Sequence, residues 1–236
     1  MRKIPCEQCA IRGTSCIIDL PPERLDEFRE CGRSAIYRRR QVIFHEELPA
    51  DGLYLLCHGA VKLYHSDRFG REHILGVALP GEVLGELPPE ARDTYAVSAE
   101  ALTDVQLSYL PRDALVRFLQ DHPLIGVRLI AALSRALIAA RRKVRSLAFK
   151  PAEHRLAELL IQLAEAGGEA AEDGALRFHL EYTRRELGEM IGVTTETVIR
   201  MLARFRRKHL VTVDGRQLTI AAADQLRHLA NYDRTA

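Results

Sequence analysis

Three cysteines lie close together near the start of the chain, at Cys6, Cys9 and Cys16. The residues around them show no helical or strand periodicity that would bury them in a core. Short gaps between ligands lower the entropy cost of wrapping a flexible arm around a metal ion or cluster. Thiolates bind zinc and iron–sulfur clusters, and thiols without metal can respond to oxidation. The spacing therefore predicts a metal or redox centre on an N-terminal arm, and leaves these three chemistries open.

A fourth metal ligand would have to come from elsewhere in the chain. Cys57 lies in a predicted strand before a tight turn, and Cys31 ends a short predicted helix after the arm. Either thiol is a possible fourth ligand, and an oxygen ligand is a third option. For each of these two cysteines, the competing interpretation is a small buried apolar residue.

A second set of residues, in the last third of the chain, has the pattern of a helix-turn-helix. Thr183 and Glu186 predict a capping box at the start of one helix, and Gly192 is placed to end that helix. Thr194 can cap a second helix that runs from Thr195 to about Lys208. An Asp-Gly hairpin turn follows. Two helices joined by a short turn and followed by a hairpin predict a winged helix-turn-helix.

In such a motif the start of the second helix lies in the DNA major groove. Glu196 and Arg200 are four residues apart on one face of this helix, where Glu can accept from cytosine and Arg can donate to guanine. A surface ion pair on an ordinary helix is the competing interpretation. The residues that we expect to contact bases or phosphates are Thr183, Arg184, Thr194, Thr195, Glu196, Thr197, Ile199, Arg200, Arg204 and Lys208.

The pattern of strands and helices along the whole chain predicts an α+β protein. Short apolar runs separated by turn residues follow a cysteine-rich arm at residues 1–20, and they predict an antiparallel β-barrel or sandwich at residues 21–120. A long helix at 121–150 and the winged helix at 151–236 complete the chain. Apolar residues recur on the long helix at three- and four-residue steps, which predicts a coiled-coil dimer interface. That interface would comprise Val127, Ile130, Leu133, Leu137 and Val144.

Composition limits the function classes. The net charge of +2 means that nucleic-acid binding must depend on locally clustered cations. The start of the chain has no apolar run of signal-peptide type, and Arg128 and Arg135 interrupt the most apolar stretch. We therefore expect a cytoplasmic protein without a membrane span. No nucleophile–base pattern or phosphate-binding loop is evident in the sequence, so we expect no enzymatic activity.

Residues 183–220 resemble the CRP/FNR family of bacterial transcription regulators, and residues 53–62 and 80–87 look like that family's barrel strand and effector segment. The resemblance implies a jelly-roll sensor domain similar to cyclic-nucleotide-binding domains, a dimerization helix and a C-terminal winged helix. It also implies a homodimer that binds double-stranded DNA at a palindromic operator containing TGA, with RNA polymerase as a partner. Ile199 departs from the Ser or Gly of the two well-known subgroups, so the outer bases stay open.

The resemblance also indicates which kind of effector controls such a regulator. Gly85 and Glu86 resemble the glycine and ribose-binding glutamate of cyclic-nucleotide pockets. Alignment places Asp93 and Thr94 where an Arg-Ser or Arg-Thr pair would bind the cyclic phosphate, and a carboxylate there repels phosphate. The N-terminal cysteines instead resemble those of FNR-type oxygen sensors, which hold a 4Fe–4S cluster. The fourth cysteine of those sensors falls at Ser108 in this sequence.

The sequence therefore predicts a DNA-binding regulator controlled by an oxygen- or redox-sensitive iron–sulfur cluster. The same regulator with a structural zinc, redox thiols or a small-molecule effector in the barrel is the alternative. A ligand-binding module that does not bind DNA is a further hypothesis from another class.

Overall fold

The computed structural model describes residues 3–9, 11–14, 16–86, 94–167, 169–170 and 175–231. The chain divides into two compact units, residues 1–140 and 141–236. Each unit is built around its own set of buried apolar side chains.

Eight strands form the sheets of the first unit. They are β1 (Arg33–Tyr37), β2 (Val42–Phe44), β3 (Gly52–His58), β4 (Val61–Ser66), β5 (Glu72–Ala78), β6 (Val83–Leu84), β7 (Ser98–Ala101) and β8 (Val105–Pro111). All pairings are antiparallel, in the orders β1-β8-β3-β6 and β2-β7-β4-β5. The predicted antiparallel, jelly-roll-like architecture is confirmed, as two four-stranded sheets rather than a closed barrel.

Two groups of apolar side chains stabilise this unit. One contains β2–β8 side chains such as Leu56, Val61 and Leu107. The other joins the arm to the helices α1 (Leu25–Cys31), α2 (Arg112–Asp121) and α3 (Pro123–Phe149). Ile17, Ile18 and Leu20 are buried in this second group, so the end of the arm is part of the folded domain.

Helix α3 exposes a line of large apolar side chains. Between 51% and 66% of the surface of each side chain in this line is accessible to solvent: Val127, Ile130, Leu133, Leu137 and Val144. Within the described residues, α3 is the one helix long and apolar enough to cross a membrane by length and composition. Exposed apolar residues at three- and four-residue steps are also what a coiled-coil interface requires.

The second unit is a small sheet packed against helices. Its elements are α4 (Ala152–Gly167), β9 (Glu169–Ala170), β10 (Leu176–His179), α5 (Arg184–Ile191), α6 (Thr195–Arg207), β11 (Val211–Asp214), β12 (Gln217–Ile220) and α7 (Ala223–Ala230). The sheet order is β11-β12-β10-β9, in which β11 and β12 form the predicted wing. The predicted helix-turn-helix and wing are confirmed, with boundaries within two residues of the expected ones.

Candidate DNA-binding surface and cysteine site

The turn between α5 and α6 is fixed by local hydrogen bonds. Thr183 accepts a hydrogen bond from the backbone N–H of Glu186, whose carboxylate accepts one from the Thr183 N–H, so the predicted capping box is present. Gly192 has φ of 69°, the left-handed conformation that ends α5. The Thr194 hydroxyl accepts from the Thr197 N–H at 3.3 Å and caps α6.

Helix α6 has one buried face and one exposed face. Its buried side chains are Val198, Met201, Leu202 and Phe205. Glu196, Ile199 and Arg200 are exposed, and 54% of the Ile199 surface is accessible to solvent. Three of the four side chains that we expected to face base edges therefore project away from the core of this unit, and the fourth, Thr195, is half-buried.

The charges on this face are held in place before any DNA is bound. The pKa of the Glu196 carboxyl lies below its usual value because it accepts hydrogen bonds from its own backbone N–H and from the Thr194 hydroxyl. The Arg200 guanidinium is 3.4 Å from the Thr197 hydroxyl. Both side chains lie on the exposed face of the same helix.

Two side chains that we expected to contact DNA phosphates interact with a carboxylate of the protein itself. Arg204 forms an ion pair with Glu153 of α4 at 2.7 Å, and Lys208 lies 3.7 Å from the same carboxylate. Both cations remain about half exposed. Their DNA contacts stay a prediction, and a phosphate would have to share them with Glu153.

A shallow depression lies beside the wing turn. It is lined by Leu180, Glu181, Tyr182, Thr183, Arg184, Gly215 and Arg216. Burial lowers the pKa of Arg184, which still leaves the guanidinium charged at neutral pH. Two arginines beside the N-terminus of α5 make this depression suitable for a DNA phosphate.

Cys57 lies at an irregularity in strand β3. The pairing of β3 with β8 shifts between Leu56 and His58, so Cys57 is the extra residue of a bulge. The Cys57 thiol donates to the Leu55 carbonyl oxygen at 3.6 Å, and the Ser108 main chain on β8 acts to lower the pKa of this thiol. Bulges re-aim side chains, and this one brings the thiol to Ser108.

The three cysteines of the arm are neighbours of Cys57. The Cys9 thiol is 3.9 Å from the Cys57 carbonyl oxygen. Burial, with smaller contributions from the thiols of Cys9, Cys6 and Cys16, raises the pKa of the Cys57 thiol to about 12. Burial likewise raises the pKa of Cys16 to about 11. The fold therefore places Cys9 beside Cys57, and the thiols of Cys6 and Cys16 are near enough to act on the pKa of Cys57.

Cys31 has different surroundings. It is a buried member of the apolar core formed by the arm, α1, α2 and α3. Burial raises the pKa of the Cys31 thiol, and the positive charge of Arg117 acts to lower it. Among the described residues no group of three or more Cys, His, Asp or Glu side chains is close enough to hold a single metal ion.

Polar contacts hold the arm on the sheet. The Gln106 carboxamide on β8 accepts from the Ile4 N–H and donates to the Ile4 carbonyl oxygen, each at 2.7 Å. Only 4% of the Gln106 surface is exposed. Arg128 of α3 pairs with Asp19 at 3.0 Å, which joins the end of the arm to the long helix.

Comparisons with known proteins agree with this fold. Residues 35–122 match the cyclic nucleotide-binding domain family, and residues 154–229 match the Crp-like helix-turn-helix domain family. The CRP-like cAMP-activated global transcriptional regulator of Mycobacterium tuberculosis is 31% identical over 190 residues, 80% of this chain and 84% of the relative. The chain belongs to the CRP/FNR family of transcription regulators.

Two further similarities cover more of the molecule. The anaerobic regulatory protein of Haemophilus influenzae is 25% identical over 98% of this chain and 90% of its own length. The structure of FixK2 from Bradyrhizobium japonicum superposes with a TM-score of 0.74 at 26% identity, over 86% of this chain and 98% of FixK2. As a CRP/FNR regulator, this protein binds DNA, functions as a dimer and is not an enzyme.

The effector segment of this CRP/FNR chain contains one unsatisfied group. Gly85 has φ of +88°, and Glu86 follows it. Among the described residues the Oε2 atom of Glu86 is buried without a hydrogen-bond partner. Burial raises the pKa of this carboxyl, although a hydrogen bond from the Ala96 main chain acts to lower it. Asp93, which alignment placed at the phosphate-binding pair, lies outside the described residues.

Several residues that shape these sites were not predicted from the sequence. Gln106, Glu153 and Arg128 act on partners more than fifty residues away or on other elements. No local motif identifies such side chains. A polar residue between apolar neighbours in a strand, as at Gln106, was the one available signal.

Proposed function

We propose that this protein is a cytoplasmic, homodimeric CRP/FNR regulator controlled by an oxygen- or redox-sensitive iron–sulfur cluster. Its ligands would be Cys6, Cys9 and Cys16 of the arm together with Cys57 of β3. The observation that carries this proposal is the position of the arm against β3, where the Cys9 thiol lies 3.9 Å from the Cys57 carbonyl oxygen. The resemblance to FNR-type sensors places their fourth cysteine at Ser108, and Cys57 on the neighbouring strand would replace it.

Thiolate ligands suit both a 4Fe–4S cluster and a single zinc ion. The resemblance of the arm cysteines to those of FNR-type sensors favours the cluster, and a structural zinc is the alternative. When bound, such a cluster supplies chemistry that responds to oxygen and redox state.

The chain's own residues hold the arm in place at this site. Gln106 fixes the backbone at Ile4, two residues before Cys6, and Arg128 fixes Asp19, three residues after Cys16. The cysteine segment is therefore anchored at both ends. The similarity to an anaerobic regulatory protein supports control by oxygen.

For the DNA site we propose a palindromic operator with TGA half-sites, read by Glu196 and Arg200. Ile199 would contact an outer base, where an apolar side chain suits a thymine methyl. Thr195 would also face the base edges, while Thr197 and the cations of α6 would contribute sugar–phosphate contacts. RNA polymerase would be the partner at the promoter.

Purification without oxygen tests the cluster. We expect a brown protein that contains iron and sulfide and bleaches in air. Cys57→Ser should lose the colour, while the matched variant Cys31→Ser should keep it because Cys31 lies in the core. A colourless protein with stoichiometric zinc would contradict the proposal, and so would a brown Cys57→Ser variant. Gel shifts with a TGA palindrome at two salt concentrations test the operator separately.

A second candidate signal is a small molecule in the sensor domain. The buried Oε2 of Glu86 would accept a hydrogen bond from a ligand hydroxyl, and the M. tuberculosis relative is cAMP-activated. Calorimetric titration with cAMP separates the two signals, since the cluster proposal expects no heat of binding in this assay.

A further inference from the structure

Two cations lie at the C-terminal end of α5. Lys143 of α3 donates a hydrogen bond to the carbonyl oxygen of Met190, and Arg155 of α4 donates through Nε to that of Ile191 at 2.9 Å. The last carbonyls of a helix have no partner within the helix, and a cation there also interacts favourably with the helix dipole. Lys143 and Arg155 therefore complete the end of α5.

Arg155 also contacts the end of α3. Its Nη1 donates to the carbonyl oxygens of Lys150 at 2.8 Å and of Leu147 at 3.4 Å. One guanidinium thus bridges the last turn of α3 and the last turn of α5. Lys143 is half-buried, and its pKa is lowered because burial disfavours the charged form.

The turn that follows α5 is packed tightly against it. The Val193 N–H donates to the Gly188 carbonyl oxygen at 2.9 Å. A Cβ added at Gly188 would lie 2.7 Å from the Val193 carbonyl oxygen, so this position has no room for a larger residue. The end of α5 and the turn therefore move as one piece, and α6 begins directly after it at Thr195.

We propose that Lys143 and Arg155 are positioning residues for DNA recognition. They hold the C-terminal end of α5 and, through the turn, set the direction in which α6 presents its base-reading side chains. Neither residue needs to touch DNA. The inference uses the established DNA binding of the family and is independent of the iron–sulfur cluster and of the operator sequence.

The test compares Lys143→Met, Lys143→Arg and Arg142→Met in the full-length protein. Lys143→Met keeps the length of the side chain without its donor, and Lys143→Arg keeps a cationic donor. Arg142→Met removes the same charge from an exposed position on the same helix turn. The specific probe is the duplex that the wild-type protein selects from a random-sequence library, and the non-specific probe is a scrambled duplex of equal length.

We expect Lys143→Met to weaken specific binding on the order of tenfold, because the Met190 carbonyl loses a charged hydrogen-bond partner. Non-specific affinity and the slope of log K against log salt should stay at wild-type values, since no phosphate contact is lost. Lys143→Arg should recover most of the specific affinity, and Arg142→Met should keep the wild-type ratio of specific to non-specific binding.

Three results would overturn the proposal. The first is an unchanged specificity ratio in Lys143→Met. The second is a smaller salt slope in that variant, which would make Lys143 a phosphate contact. The third is an equal loss of specific and non-specific binding together with a lower melting temperature, which would make its role structural only.

Discussion

The arm of this regulator should loosen when the Gln106 carboxamide is replaced. Gln106 makes two hydrogen bonds of 2.7 Å with the backbone of Ile4, and its side chain is almost fully buried. Gln106→Met has a similar size and no polar atoms to pair with Ile4. Each hydrogen bond contributes about 0.5 to 1.5 kcal/mol, so the docked arm loses about 1 to 3 kcal/mol. That free energy corresponds to a roughly 5- to 150-fold larger population of open arm.

Hydrogen exchange of the reduced, metal-free protein measures this opening. The peptide at residues 3–9 should exchange faster in Gln106→Met by that factor, while peptides from α6 should exchange as in the wild type. Arg29→Gln is the matched comparison, since it removes the ion pair between Arg29 and Glu7 on the same arm. Both partners of that pair are about half exposed, and exposed ion pairs contribute about 0 to 1 kcal/mol.

The ranking of the two variants tests the reasoning. Buried hydrogen bonds should hold the arm more strongly than the exposed ion pair, so the exchange rate should rise more in Gln106→Met than in Arg29→Gln. An arm that exchanges at the wild-type rate in Gln106→Met would refute the assigned role of the carboxamide. An equal or larger effect of Arg29→Gln would refute the ranking by burial.

Three further predictions concern the other sites. Arg200→Ala should reduce discrimination at one guanine of each half-site by about 1 to 3 kcal/mol, measured by competition with duplexes changed at that base; equal losses on all sequences would contradict base reading. Leu133→Glu should shift the protein to monomers in sedimentation velocity, because an exposed apolar residue at the predicted dimer interface becomes charged. Because burial raises the pKa of Glu86, the folded protein holds that proton more tightly than the unfolded chain, and stability is lost as pH rises through the folded pKa. The melting temperature of Glu86→Gln should therefore exceed that of the wild type by more at pH 8 than at pH 5. The same difference at both pH values would count against this reasoning.

The helix-turn-helix was predictable because its signals are local. The capping box at Thr183, the left-handed Gly192 and the cap at Thr194 each act within four residues, and all three are present. Short elements such as β7 and α7 escaped prediction because they carry no comparable end signals and depend on packing against other elements.

The choice between Cys57 and Cys31 could not be made from the sequence. Both are single cysteines in apolar surroundings, and what separates them is the bulge in β3, which depends on its pairing with β8. Register shifts of this kind arise from the partner strand and leave no mark in the strand's own residues. Gln106 and Lys143 were missed for the same reason, because their partners lie 102 and 47 residues away.

Helix α3 gives a physical reason for a signal on the arm to reach the DNA-binding unit. Near its start Arg128 pairs with Asp19 of the arm, its middle exposes the apolar line, and near its end Lys143 contacts Met190 of α5. A signal can shift an equilibrium only through contacts that differ between the two states. Each of these contacts belongs to one helix, so in the regulator that we propose a change in the arm would bias packing along the apolar line through Arg128. That packing would in turn bias the helix-turn-helix through Lys143, without any direct contact between cysteines and DNA.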